Sequence, residues 1–210
     1  MIVAVILAAG SASRMGELKQ ILPDARDTPL VVRAADAAMS AGCDEVVIVT
    51  GAQAERVRGV FDAWPEAPRE AISFVHNPAF AKGMGGSLVV GIAAARAAGA
   101  DHALVLLADQ PLVSPSDLAR LLEGVGNEDV SVAAALYDEV MGAPACFAAR
   151  CFDALLDRAK TMKGGARSLL RSGALGQVVG VPMAHAAFDL DTPEDLERYR
   201  AHHQREKHDR

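Results

Sequence analysis

The sequence predicts an α/β protein of three layers, in which a mixed but mostly parallel sheet carries helices on both faces. Apolar strand-like runs alternate with helical patterns at least four times along the chain, which is typical of βαβ units. The runs Ile2–Leu7 and Glu45–Thr50 are continuously apolar, as strands buried on both faces are. Aromatic residues make up only 4% of the chain, which favours a helix–sheet core over a β-sandwich.

The elements follow in order from these patterns and from their punctuation by glycine and proline. The predicted strands are Ile2–Leu7, Glu45–Thr50, Ile72–His76, His102–Ala108, Val130–Leu136 and Gln177–Val181. The predicted helices cover residues 29–41, 52–62, 86–98, 114–123, 148–160, 166–171 and 192–203. Gly142 and Pro144 interrupt the segment from Tyr137 to Phe147, which we leave without a predicted element.

Length and composition limit the classes of protein to which the chain can belong. Its 210 residues predict one domain over residues 1–203, followed by a frayed polar tail at residues 204–210. A net charge of −6 disfavours non-specific binding to nucleic acid. The three cysteines lack metal-ligand spacing, and neither a targeting segment nor a membrane-spanning run is recognisable. We therefore expect a cytoplasmic protein.

The segment Leu7–Lys19 after the first strand combines small residues with two cations. Because Gly10 and its neighbours leave the backbone exposed, consecutive amides there can form a concave anion site. Arg14 and Lys19 match the charge of phosphate oxygens. The segment is neither a Walker loop nor a dinucleotide fingerprint, and a plain strand-to-helix turn stays an alternative.

Acidic residues follow strands at two places where ligands of such sheets collect. Asp109 comes directly after the fourth strand, ahead of Gln110 and Pro111, where a carboxylate can hold Mg²⁺. Asp189 and Asp191 alternate in an extended segment, so only one of them is expected to face a metal. Helix capping by the residues before Pro193 is an alternative role for this second cluster.

Five motifs occur in one order along the chain, and together they resemble those of a known family. The motifs are Leu-Ala-Ala-Gly-x-x-Ser-Arg-Met-Gly-x-x-Lys at residues 7–19, Asn-Pro-x-x-x-x-Gly-Met-x-x-Ser-Leu at 77–88, Leu-x-Asp-Gln-Pro at 107–111, Gly-x-Pro-x-x-Phe at 142–147 and Asp-x-Asp-Thr-Pro-Glu-Asp-Leu at 189–196. The chain thus resembles the nucleotidyltransferases of the Rossmann-like glycosyltransferase-A fold, and among them the molybdenum cofactor cytidylyltransferases. Ala9 stands where the guanylyltransferase branch usually has glycine.

The resemblance implies roles for particular residues. The first loop would bind the nucleoside triphosphate, together with two residues of the second motif: Leu7, Ala8, Ala9, Gly10, Arg14, Lys19, Gly83 and Ser87. Arg14, Lys19 and Asp109 would be the catalytic residues, and Asp109 with Asp191 would hold Mg²⁺, with Asp189 in reserve. Gly142, Pro144 and Arg167 would shape the acceptor side. Met162-Lys163 departs from the Gly-Asp usual in the family, and an acceptor with more negative charge would be one reason for this change.

The function implied is transfer of CMP from CTP to the phosphate of molybdenum–molybdopterin, giving the cytosine dinucleotide and pyrophosphate. A xanthine dehydrogenase-type enzyme or its maturation factor would be a transient partner. One alternative is an enzyme of the same fold that uses GTP, or that acts on a sugar phosphate or phosphocholine. Another, of a different class, is a non-catalytic carrier of the finished cofactor. Pyrophosphate release with each nucleoside triphosphate and acceptor separates the enzymes, whereas a carrier would bind the dinucleotide and tolerate Asp109→Asn.

Overall fold

The computed structural model describes residues 1–10, 18–64, 69–159 and 169–208, with side chains up to residue 201. Its strands are β1 Ile2–Ala8, β2 Glu45–Thr50, β3 Ile72–His76, β4 His102–Leu107, β5 Val130–Tyr137, β6 Val140–Ala148 and β7 Gln177–Pro182. Its principal helices are α1 Leu30–Ser40, α2 Ala54–Asp62, α3 Met84–Ala97, α4 Pro115–Gly124, α5 Phe152–Ala159 and α6 Pro193–His208.

The seven strands form one sheet in the order β3-β2-β1-β4-β6-β5-β7. β6 runs antiparallel to both β4 and β5, and the other neighbours pair in parallel. The predicted fold class, a mixed and mostly parallel sheet with helices on both faces, is confirmed. Since parallel strands end at a common edge, the carboxyl ends of β1, β2 and β4 lie side by side.

Two apolar cores lie on opposite faces of the sheet, because successive residues of each strand point to opposite sides. On β1, Ala4 and Ile6 face the core that α1, α2 and α4 cover, while Val3 and Val5 face the core under α3 and α5. All four side chains are fully buried. The apolar runs in the sequence are therefore continuous because both faces of the strand are buried, as expected.

Helix α3 packs directly on β1 because it carries a glycine at the contact. A Cβ atom on Gly91 would lie 2.2 Å from Cγ1 of Val5 and 3.1 Å from Cγ2 of Val49. No side chain fits in that space. The close packing holds the first turn of α3 at the carboxyl edge of the sheet.

Strand β6 covers the segment for which the sequence predicts no element. Ala134 pairs with Ala145 and Ala135 with Gly142, so Ala143 and Pro144 bulge out of the ladder. The peptide bond between them is cis. Because bulged residues need not donate to the neighbouring strand, the missing N–H of proline is tolerated in a strand paired on both sides.

The C-terminal helix is longer than predicted. α6 runs to His208 rather than ending at His203, so residues 204–208 of the predicted tail are helical. They include Gln, Arg, Glu and Lys, all good helix formers, so nothing local stops the helix at His203. The predicted helix 166–171 lies partly outside the described residues. Across the described part of the chain, no helix has both the length and the apolarity to cross a bilayer.

Candidate active site

The carboxyl edge of the sheet brings together two acidic segments that are far apart in the sequence. Asp109 follows β4, and its backbone carbonyl accepts a hydrogen bond of 2.9 Å from the amide of Leu190. Leu190, which lies between Asp189 and Asp191 in the chain, is fully buried against Leu30 and Tyr199. This burial fixes the position of the segment. The backbone contact thus holds Asp189 and Asp191 beside the end of β4.

Lys19 lies between two carboxylates at this edge. Its Nζ atom forms ion pairs with Oδ2 of Asp109 and, at 2.7 Å, with Oδ1 of Asp191. Burial by itself would lower the pKa of the Lys19 ammonium, but the Asp109 and Asp191 carboxylates outweigh burial and raise this pKa. The three predicted residues therefore form one cluster in which a cation sits between two acidic side chains.

Asp189 interacts electrostatically with all three members of this cluster. Burial, followed by repulsion from Asp109 and Asp191, raises the pKa of its carboxyl to about 6. Its Oδ1 atom is buried without a hydrogen-bond partner among the described residues. The structure thus pairs Asp191, and not Asp189, with Lys19, and which of the two would face a metal stays a prediction.

The start of α6 holds Asp191 in place by helix capping. Oδ2 of Asp195 accepts hydrogen bonds from the backbone amides of Asp191 at 3.2 Å and Thr192 at 2.9 Å. The Thr192 hydroxyl accepts in turn from the Asp195 amide at 3.2 Å. Capping and ion pairing are therefore not alternatives, because Thr192 caps the helix and leaves the Asp191 side chain for Lys19.

Gln110 joins three segments of the site. Its buried Nε2 donates to the Ala186 carbonyl at 2.7 Å and to the Ala143 carbonyl at 3.2 Å. Ala143 belongs to the bulge of β6, and Ala186 to the short 3-10 helix Ala184–Ala187 that precedes Asp189. The sequence indicates Gln110 only as part of a turn, because neither partner is near it in the chain.

The glycine loop begins at the end of β1, and its central residues lie outside the described part. Ala8 and Ala9 are buried, whereas Gly10 is exposed. The Gly10 carbonyl accepts from Nε2 of Gln20 at 3.3 Å, which ties the two ends of the loop together. A Cβ on Gly51, which follows β2, would lie 2.5 Å from the Ala9 carbonyl, so Gly51 makes room for the loop. Arg14 lies outside the described residues.

Gly83 and Ser87 lie at the first turn of α3. Gly83 is its N-cap with φ 112°, a conformation that favours glycine. The buried Ser87 hydroxyl accepts from Nδ2 of Asn77 at 3.0 Å, and Oδ1 of Asn77 accepts from the Ala79 amide at 3.0 Å. Ser87 therefore keeps its own proton and one lone pair for a ligand, and Asn77 positions the hydroxyl.

An apolar cleft opens between the first turn of α3 and the bulge of β6. Leu7, Leu107, Met84 and Gly142 are among the residues that line it. Pro144 instead lines a second cavity, together with Gln110. Gly142 and Pro144, both predicted for the acceptor side, thus face different spaces, and Arg167 lies outside the described residues.

The donors around Lys19 fit a divalent metal that arrives with a phosphorylated ligand. No three His, Cys, Asp or Glu side chains in the described ranges form a group able to hold a metal ion by themselves. Mg²⁺ takes one or two carboxylates from a protein and completes its shell with phosphate and water. Asp109 and Asp191, which already share one cation, match that requirement.

The three-layer fold, with two carboxylates and a lysine at the carboxyl edge of its sheet, is the arrangement expected of a nucleotidyltransferase. The MobA-like NTP transferase domain model matches residues 4–178. The chain belongs to the MobA-like NTP transferase family, as the resemblance read from the sequence implies.

Curated relatives include three proteins with differently named functions. The purine catabolism protein PucB of Bacillus subtilis is 32% identical over 95% of this chain and 96% of its own. The nicotine blue oxidoreductase of Paenarthrobacter nicotinovorans is 36% identical over 66% of this chain and 63% of its own. The molybdenum cofactor cytidylyltransferase of Escherichia coli is 27% identical over 93% and 95%.

Solved structures share the fold over nearly the whole chain. A nucleotidyl transferase from Methanothermobacter has a TM-score of 0.79 and 27% identity, covering 98% of both chains. Rv0371c of Mycobacterium tuberculosis, solved in complex with manganese, has a TM-score of 0.69 and 26% identity, covering 95% of this chain and 97% of its own. A protein of this fold thus binds a divalent metal.

Proposed function

We propose that this chain transfers CMP from CTP to the phosphate of molybdenum–molybdopterin, releasing pyrophosphate. The observation that carries the proposal is the Lys19–Asp109–Asp191 cluster beside the small-residue end of β1. The relative from Escherichia coli named for cytidylyl transfer, aligned over almost the full length, supports the choice of donor and acceptor. Ala9 in place of glycine supports CTP over GTP.

The reaction is a displacement at the α-phosphorus. An oxygen of the acceptor phosphate forms a bond to that phosphorus, and the bond from phosphorus to the oxygen bridging to the β-phosphate breaks. Lys19, with Arg14 from the same loop, neutralises the negative charge that builds on the departing pyrophosphate. Asp109 and Asp191 would hold Mg²⁺, which when bound supplies further charge neutralisation at the phosphates.

The apolar cleft supports a role in holding a ring of one substrate beside the reacting phosphates. Its lining includes Leu7 at the end of β1, from which the triphosphate loop departs, together with Met84 and Gly142. Excluding water there would favour transfer of CMP to the acceptor over hydrolysis of CTP. The acceptor-side assignment of Gly142, Pro144 and Arg167 is part of the same proposal.

The test is pyrophosphate release by the purified protein with Mg²⁺, molybdopterin and each nucleoside triphosphate in turn. We expect release with CTP, and a loss of about 100-fold or more in Asp109→Asn. Asp36→Asn, which removes an exposed carboxylate from α1, is the matched control and should retain activity.

Each alternative has its own outcome in this assay. Release with GTP instead of CTP would reject the donor, and release with a sugar phosphate or phosphocholine but not molybdopterin would reject the acceptor. Binding of the finished dinucleotide without any release would indicate a carrier. Full activity of Asp109→Asn would reject the role of that carboxylate.

A further inference from the structure

The Lys19 ammonium pairs with one oxygen atom of each carboxylate that the proposed function gives to the metal. It pairs with Oδ2 of Asp109 and, at 2.7 Å, with Oδ1 of Asp191. The Lys19 side chain is 22% exposed and that of Asp109 is 17% exposed, so water screens their attraction only in part. A dication and this ammonium compete for the same two carboxylates.

The backbone around Lys19 is anchored on both sides. Leu18 is 1% exposed within the core, and Gln20 is 3% exposed with its amide on the Gly10 carbonyl. Lys19 can therefore leave the carboxylates only by moving its own flexible side chain. The same anchoring keeps the backbone of Lys19 at the end of the glycine loop, where the proposed triphosphate would offer the ammonium new anionic partners.

We propose that Lys19 acts as a gate on the metal site, which it releases when a nucleoside triphosphate draws the ammonium away. A metal ion arriving alone must displace the Lys19 ammonium from the two carboxylates, which costs free energy. A metal arriving with the triphosphate does not meet this cost, because the phosphates take over the ammonium. Metal and nucleotide therefore bind cooperatively, and each raises the affinity for the other. This inference rests on the proposed metal role of Asp109 and Asp191.

Direct binding of Mn²⁺ to the protein without nucleotide tests the gate. Electron paramagnetic resonance of free Mn²⁺ gives the affinity without any measurement of turnover. In Lys19→Met we expect the affinity to rise about tenfold, within the range usual for coupled sites. Lys207→Met removes one positive charge from α6 and is the matched control, which should bind Mn²⁺ as the wild type does.

The outcomes separate the gate from the proposed function. If Lys19→Met binds Mn²⁺ no more tightly than the wild type, while Asp109→Asn abolishes binding in both backgrounds, the gate is wrong and the metal site stands. If Asp109→Asn leaves Mn²⁺ binding unchanged, the metal assignment itself is wrong. Equal gains in Mn²⁺ affinity in Lys19→Met and Lys207→Met would show that the effect comes from net charge alone and would overturn the gate.

A second measurement uses the wild type and so does not depend on how a variant folds. Acetic anhydride labels free amines, and mass spectrometry reports each lysine separately. Saturating Mn²⁺ should accelerate labelling of Lys19 several-fold by displacing its ammonium, and leave the exposed Lys82 unchanged. An unchanged rate at Lys19 under saturating Mn²⁺ would overturn the proposal.

Discussion

Replacement of Gln110 by methionine tests whether this side chain holds the site together. Methionine has nearly the same length and volume, so the change removes polar contacts with little loss of packing. The carbonyls of Ala143 and Ala186 lose donors at 3.2 and 2.7 Å. Leaving a buried acceptor unpaired costs about 1–3 kcal/mol, and two acceptors lose their donor, so we expect a loss of about 2–6 kcal/mol.

Gln20→Met is the matched control for this experiment. Gln20 is also buried, at 3% exposed, but its Nε2 makes one hydrogen bond, of 3.3 Å to Gly10, among the described residues. We therefore expect a loss of about 1 kcal/mol for Gln20→Met. Urea unfolding followed by far-UV circular dichroism gives both values. Equal losses in the two variants, or a loss below about 1 kcal/mol in Gln110→Met, would refute the reasoning.

Three further predictions concern packing, thiols and pH. Gly91→Ala drives a methyl into Val5, 2.2 Å away, and should cost about 1–3 kcal/mol of unfolding free energy. Gly59→Ala, in a helix with nothing within 4 Å, should add up to about 1 kcal/mol. A denaturant titration in which both changes have the same sign would contradict this. Burial raises the pKa of the thiols of Cys43, Cys146 and Cys151. Ellman's reagent should therefore label none of them until urea unfolds the chain. Labelling of the native protein would contradict the burial of these thiols. Burial opposes ionisation of Asp117, but hydrogen bonds from Ser114 outweigh it and lower its pKa below 3.8, the usual value. At pH 7, Asp117→Asn should therefore lower the free energy of unfolding by about 1 kcal/mol, through the weaker helix cap. The difference in unfolding free energy from wild type should vanish as the pH falls through the lowered pKa, because the carboxylate of the folded protein is then protonated. A gap in urea midpoint that persists in acid would contradict this assignment.

The gate and the glycine loop together suggest why the chain places its lysine at the end of the loop. Lys19 contacts the two carboxylates, and under the proposed function its side chain would turn to the triphosphate with little movement of the backbone, since Leu18 and Gln20 are buried on either side. One side chain could thus link nucleotide binding to metal binding. Arg14 lies outside the described residues, and its proposed contact with the phosphates remains a prediction.

Local patterns determine the elements of this fold. The apolar runs of β1 and β2, the cap at Ser114 and the glycine after α1 each depend on residues within a few positions of one another. The alternation of side-chain direction along a strand or a helix, and the backbone angles of glycine and proline, are also set by residues a few positions apart. The sequence could therefore indicate the alternation of strands and helices, and from it a parallel sheet whose ligands collect at one edge.

The β6 bulge and the extent of α6 show where local patterns do not suffice. Gly142 and Pro144 read as a break, but β6 is paired with β4 and β5, and the bulge removes the need for a proline N–H. α6 continues past His203 because its polar helix formers contain no stop signal, although the same composition also suits a tail.

The sequence by itself determined the fold class, the family and the types of residue available for phosphate and metal chemistry. Only the tertiary structure decided that Lys19 bridges Asp109 and Asp191, that Thr192 and Asp195 fix the backbone of Asp191, and that Gln110 joins the β6 bulge to the segment before Asp189. The Lys19–Asp191 pair spans 172 residues. Contacts at that separation depend on where the sheet places whole segments, and no local pattern records the distance between them.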